Sequence, residues 1–208
     1  MDLLGFLFRW SHVLFGITWI GMLYYFNFIQ GGYFKQASPE GLADAKAKLA
    51  PSALWWFRWG AMGTFLTGVV LLGYLGAALN NYIAVGAIFG ILMFLNVWMI
   101  IWPNQKIALG MVEGDAPAAG AKALLASRHN VLYSAPMAFC MLASGHPTAN
   151  MGYAGFSMST SMIVMLVIIA ALQANAMFGK QGPLTTVKGV IHASLGLTAV
   201  MVLVFNFL

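Results

Sequence analysis

The sequence predicts an all-α fold: a polytopic integral membrane bundle of about six transmembrane helices, with both termini non-cytoplasmic. Three observations carry this. Hydrophobic residues make up 61% and charged residues only 7% of the 208 positions, whereas a soluble domain carries about a quarter charged. The apolar residues gather into six runs at or near the roughly 20 residues that a bilayer core requires. Finally, nine of the ten Lys and Arg fall in or beside alternate connections, the pattern that short basic loops kept in the cytoplasm produce.

The expected spans are about 4–29, 55–79, 82–102, 129–144, 156–178 and 187–207, in one membrane domain, 1–208. The first is interrupted early by Arg9 and His12 and has no small-residue cleavage site after it, so it reads as a retained span. In the connection from Gly31 to Leu54, Ser38-Pro39-Glu40 followed by Leu42, Ala45 and Leu49 predicts a short interfacial helix. The third span is expected to stop at Pro103. The connection from Ile107 to Arg128 carries Asp115-Ala116-Pro117 before an Ala-rich stretch, which predicts a second short helix. The fourth span is short and contains Pro136, which predicts a kink. In the third span, Gly86-x-x-x-Gly90 offers a close-packing face that serves folding. The backbone must bond internally in lipid, so these runs are helices.

Lys35, Lys46, Lys48 and Arg58 flank the first connection, Lys106, Lys122 and Arg128 the third, and Lys180 and Lys188 the fifth; only Arg9 lies on the other side. The odd connections are therefore expected to face the cytoplasm, in a bacterial inner membrane. Trp55, Trp56, Trp59 and Trp102 fall at that inner interface, where indole rings collect. The net charge of +5 does not signal nucleic acid, because the basic residues form no stripe. With one cysteine, Cys140, the chain has neither an internal disulfide nor a Cys-x-x-Cys-His for covalent haem attachment.

All five acids, Asp2, Glu40, Asp44, Glu113 and Asp115, lie outside the apolar cores, which argues against a carboxylate-based ion pump. Four histidines remain. His12 lies in the outer part of the first span and His146 past the outer end of the fourth; His129 opens the fourth and His192 sits a turn inside the sixth. Imidazole is a common axial ligand of haem iron, so two histidines per leaflet predict one or two non-covalent b haems. His12 and His192, flanked by apolar residues, are the stronger candidates. His129, in a polar helix start, and His146, before Pro147, also suit ordinary interfacial roles. The inner half is rich in amides. Asn27, Gln30, Asn96, Asn104, Gln105, Gln173 and Asn175, with Arg58, Arg128 and Asn130 at similar depth, could line a pocket for a small polar or anionic molecule. Helix-to-helix hydrogen bonding is the alternative for each amide taken singly.

Several blocks resemble the bacterial membrane-bound, cytochrome c-linked urate oxidase family. They are Trp10-Ser11-His12-Val13 leading to Gly16-Ile17-Thr18-Trp19-Ile20-Gly21, then Trp56-Phe57-Arg58-Trp59, and Asn96-Val97-Trp98 with Ile101-Trp102-Pro103-Asn104-Gln105. Ser127-Arg128-His129-Asn130 with Ser134-x-Pro136-Met137 completes the set. The resemblance is clear over about residues 5 to 150 and weaker beyond. It implies urate oxidation in purine breakdown, with electrons passed to cytochrome c. His12, Arg58, Asn96, Asn104, Gln105, Arg128 and Asn130 match motif positions, and this chain's cytochrome partner is expected to be a separate chain. The opening helix is also similar to that of the bacterial haem-binding protoporphyrinogen oxidase family, in which a histidine there ligates haem. The expected function is thus a haem b redox protein of the membrane, with Arg58, Asn96, Asn104, Gln105, Arg128 and Asn130 as substrate residues. Two other readings stay open: a non-enzymatic accessory subunit of a larger respiratory or photosynthetic complex, and a transporter of a small polar solute.

Overall fold

The computed structural model describes residues 2–146 and 155–208. Pro147, which follows His146, lies outside them. Among the described residues the chain forms six long helical stretches: α1 Leu3–Gln36, α2 Pro39–Ala78, α3 Asn81–Ala108, α4 Ala116–Ala143, α5 Thr160–Phe178 and α6 Val187–Phe207. All but α4 are long and apolar enough to cross a membrane. In α4 the polar residues Ser127, Arg128, His129, Asn130 and Ser134 replace the apolar ones, and every residue from 125 to 134 is buried. The middle of that helix is enclosed by protein.

The helices are longer than expected, and the two short interfacial helices are absorbed into them. Ser38 does cap a helix, its hydroxyl accepting from the Gly41 N–H at 3.2 Å. That helix is the start of α2, continued through a π-helical segment at Ala45–Leu49 and by an ion pair between Asp44 and Lys48 one turn apart. Likewise Asp115 accepts from the Ala118 N–H at 3.0 Å and starts α4, which runs unbroken into the expected fourth span. Between α3 and α4, Gly110 turns the chain with a φ of 74°. Pro103 does not stop α3. A π-helical segment at Asn96–Ile101 precedes it, so Pro103 sits in the first turn of the stretch that follows, where a missing N–H is tolerated. At the other end, the expected fifth span begins four residues late. Phe156 donates to the Leu79 carbonyl at 2.9 Å and the Ser157 N–H to Asn81 Oδ1 at 2.9 Å, and only Ser159 caps α5.

The chain divides into two compact units. Unit 1 comprises Met1–Thr67 and Phe94–Ser127, and unit 2 comprises Gly68–Met93 and Arg128–Leu208. In unit 1, α1 and α2 approach closely: a methyl at Gly60 would stand 3.0 Å from the Trp19 backbone nitrogen. Phe65 stacks on Phe94 at 4.1 Å. In unit 2, the glycines of α3 face α4. A methyl at Gly86 would come within 2.8 Å of the Cys140 Cβ, while one at Gly90 would stand 3.7 Å from Met137 Sδ. The Gly-x-x-x-Gly face therefore packs within the chain. Pro136 deprives the Leu132 carbonyl of its helical donor, and Ser194 Oγ of α6 stands 2.9 Å from that oxygen and 3.1 Å from the Val131 carbonyl.

Candidate functional site

The basic end of unit 1 gathers polar side chains that its own packing leaves unpaired. In α1 a π-helical segment covers Tyr25–Gln30 and in α3 another covers Asn96–Ile101. Such segments turn side chains out of the regular helical register and occur frequently at functional sites. They carry Asn27, 4% exposed, and Asn96, 1% exposed. Asn27 Nδ2 donates to the Leu23 carbonyl at 2.9 Å and to Ser127 Oγ at 2.7 Å. A carbonyl can only accept, so Nδ2 is fixed there, and Oδ1 is left buried with no partner. Gln30 Oε1, Arg58 Nη1 and Trp98 Nε1 are likewise buried and unpaired.

Four helices converge at this level. Phe26 of α1 meets Phe57 of α2 with centroids 5.5 Å apart. Trp59 of α2 meets Trp98 of α3 edge-on at 6.0 Å, and the Asn27–Ser127 bond ties in α4. The Arg58 guanidinium carbon lies 3.3 Å from the centre of the Trp102 ring, with Lys106 Nζ 5.5 Å from the same ring. Stacking satisfies the face of the guanidinium and leaves its N–H edge for an anion. Asn104 spends its amide on the Ile100 carbonyl at 2.7 Å, and Gln105 is half-buried one residue on. A buried unpaired polar atom costs about 1–3 kcal/mol. Two unpaired acceptors and two unpaired donors at one level are suited to a small molecule bearing both N–H and C=O groups.

His12 also belongs to unit 1. Its Nδ1 lies 3.0 Å from Thr67 Oγ1. The Thr67 hydroxyl proton is committed to the carbonyls of Gly63, at 2.7 Å, and Thr64, at 3.1 Å. His12 Nδ1 must therefore donate, and Nε2 keeps its lone pair. A ring held through one nitrogen by a neighbouring oxygen is oriented as a metal-binding histidine's is.

The remaining histidines lie in unit 2. His129 is fully buried. Asn175 Oδ1 accepts from the Lys180 N–H at 3.2 Å, which orients the amide so that Nδ2 donates to His129 Nε2 at 2.8 Å. That nitrogen is occupied. His146 and His192 are exposed, and His146 Nδ1 lies 2.9 Å from the Leu142 carbonyl of its own helix. None of these three combines burial with a nitrogen left over for iron. Among the described residues no three His, Cys, Asp or Glu gather in one place. Asn130 donates to the Met93 carbonyl at 3.0 Å, and Tyr133 Oη to Gln173 Oε1 at 3.3 Å. Arg128, 8% exposed, has unpaired Nε and Nη1, and unit 2 contains no Asp or Glu.

Sequence reasoning selected Arg58 and Asn96 at the basic end of unit 1. It counted Asn27 and Gln30 among the amides that could line a pocket but not among the substrate residues, and it singled out neither Trp98 nor Thr67 as a site residue. Trp98 closes the motif block Asn96-Val97-Trp98, which is the one pointer to it, and nothing in the sequence marks Thr67 as the partner of His12.

A family model described as urate oxidase N-terminal matches residues 75–205. No curated protein and no solved structure matches the chain. The matched span includes Asn96, Asn104, Gln105, Arg128, His129, Asn130, His146 and His192, and runs through the last two helices, where the motif resemblance is weakest. His12 and Arg58 precede it.

Proposed function

The chain belongs to the urate oxidase N-terminal family, and from that premise we propose that it is a membrane redox protein that oxidises urate or a similar small anion at its basic end. The observation that carries this reading is Arg58, held in a membrane helix against Trp102 with a buried, unpaired N–H and, among the described residues, no carboxylate bonded to it. A cation so placed calls for an anionic partner, and urate at neutral pH is a planar monoanion. Arg58 would hold the charge while Trp102 fixes the plane of the guanidinium. Excluding water at this level strengthens that hold.

Unit 1 offers one candidate ligand for a b haem. His12 Nε2 would bind the iron, with Thr67 holding the ring through Nδ1. Bound there, haem would supply one-electron transfer, and a cytochrome c at the opposite membrane surface is the proposed acceptor. The cytoplasmic placement of the basic end, and a bacterial inner membrane around it, belong to the same proposal.

The test is a reduced-minus-oxidised visible spectrum of protein purified with haem supplied, followed by urate-dependent reduction of cytochrome c in proteoliposomes. A b-type band and reduction that depends on urate are the expected results. Absence of both would remove the redox reading and leave an accessory subunit.

A further inference from the structure

Arg58 accounts for the charge of the ligand but not for three other unpaired atoms at the basic end of unit 1; a further one in the unit, Trp19 Nε1, lies eight residues before Asn27 on α1. Asn27 Oδ1 and Gln30 Oε1 are acceptors with no donor, and Trp98 Nε1 is a donor with no acceptor. All three lie on the helices that meet at the level of Arg58. Asn27 and Trp98 lie on the two π-helical segments, and Gln30 ends the first of them. Packing alone does not account for them. Asn27 Nδ2 already ties α1 to α4 through Ser127, and the ring of Trp98 is already held edge-on by Trp59 and tilted against Phe94 at 6.4 Å.

We propose that Asn27, Gln30 and Trp98 set specificity by reading the edge of a planar ring, the two amide oxygens accepting from ring N–H groups and the indole N–H donating to a ring carbonyl. The preferred ligand is then a cyclic ureide with free N–H groups, and methylation of those nitrogens is the change the site rejects. This inference rests on the urate-type reading above, and adds to it which atoms of the chain discriminate among such ligands. No electron or proton transfer is assigned to these residues.

The unpaired state of the three atoms gives a test with two independent readouts. A residue conserved in shape but stripped of its unpaired atom relieves a buried polar group, so the ligand-free protein should be as stable as the parent or more so. Binding, in contrast, should lose a hydrogen bond. Trp98→Phe keeps a ring against Trp59, and Gln30→Met keeps the length and volume of the side chain. For each, the affinity for radiolabelled urate in detergent-solubilised protein should fall roughly five- to tenfold, while the unfolding temperature without ligand does not fall. An N-methylated urate that keeps its negative charge should bind the parent more weakly than urate does, and Gln30→Met should narrow that gap.

Unchanged urate affinity in both variants overturns the inference and leaves the urate reading intact, as does a loss of stability with affinity retained. Failure of the parent to bind urate at all is a different result: it removes the urate reading, and this inference with it.

Discussion

The two units differ in how fully they pair their buried polar groups. In unit 2 they are largely paired off. His129 takes Asn175, Tyr133 takes Gln173, Asn130 takes the Met93 carbonyl, and Ser194 serves the carbonyls that α4 exposes around Pro136. In unit 1, at the basic end, Asn27, Gln30, Arg58 and Trp98 each keep a buried atom without a partner. A polar group in a low-dielectric interior is expensive unless bonded. Saturation is what a scaffold needs, and the four open groups at the basic end of unit 1 are those the proposed ligand would bond. Unit 2 has its own exceptions in Arg128 and the Tyr82 hydroxyl, so the contrast is one of degree. It predicts that substitutions at the basic end of unit 1 alter function more than stability, and that substitutions in unit 2 do the reverse.

The largest expected effect is at Arg58. Arg58→Met keeps much of the side chain's contact with Trp102 and removes the charge. Urate affinity should fall roughly a hundredfold, the scale of removing one partner of a buried charge pair, with little loss of thermal stability. Arg58→Lys should recover only part of it, because an ammonium is a point charge and cannot stack and present a fork at once. Measured by equilibrium binding and thermal unfolding on the same samples, the pair breaks the comparison if Arg58→Met unfolds the protein without changing affinity in what remains folded.

Next in size is the His12–Thr67 pair. His12→Ala should abolish a b-type difference spectrum while the protein stays in the membrane. Thr67→Val keeps the shape but removes the acceptor that fixes the ring, and should weaken haem retention roughly 10- to 100-fold, as loss of a metal ligand's supporting hydrogen bond does. Thr67→Ser should restore it. A haem titration that gives the same affinity for the parent and both Thr67 variants would separate His12 from iron binding.

Much of the fold is legible in the sequence because lipid imposes a simple rule on it. Long apolar runs with few charges must be helices, and α5 and α6 lie close to where hydropathy puts them. Helix ends are less legible. Once Ser38 and Asp115 have capped their helices, nothing in Ala45–Leu49 or in the Ala-rich start of α4 breaks the pattern, so helix continues where polarity suggests a loop. Pro103 misleads for a related reason: the π-helical segment before it supplies a register that hydropathy does not encode. The candidate site is half legible. Amides and arginines cluster along the sequence at one depth, which is visible. Which of their atoms stay unpaired depends on side-chain rotation and on the neighbour each one finds. Asn175 and Asn27 look equivalent as amides near helix ends, yet one is saturated by Lys180 and His129 and the other keeps a free oxygen.

Within unit 2 the predictions concern stability alone. Gly86→Ala places a methyl 2.8 Å from the Cys140 Cβ and should destabilise by about 1–3 kcal/mol, the usual range for overpacking. Gly90→Ala, whose methyl would meet only the flexible Met137 sulfur at 3.7 Å, should be tolerated. Thermal unfolding of the two variants sharpens the assignment of this face to packing inside the chain; equal losses at both positions would contradict it.

The smallest effect isolates one hydrogen bond. Ser194→Ala removes the donor that stands in for the missing N–H of Pro136 at the Leu132 carbonyl. Polar bonds between membrane helices contribute about 0.6 kcal/mol on average and about 1.7 at most, so the loss should be of that order. The Val131 carbonyl also accepts from Ser134 Oγ at 2.7 Å, so the deficit falls chiefly on Leu132. Pro136→Ala returns a backbone N–H to that carbonyl, and in its background Ser194→Ala should lose less than it does alone. Unfolding measured for the parent, both single variants and the double gives the coupling directly. No coupling would mean that Ser194 is not the partner Pro136 makes necessary, and that the saturation of unit 2 is looser at this point than its geometry implies.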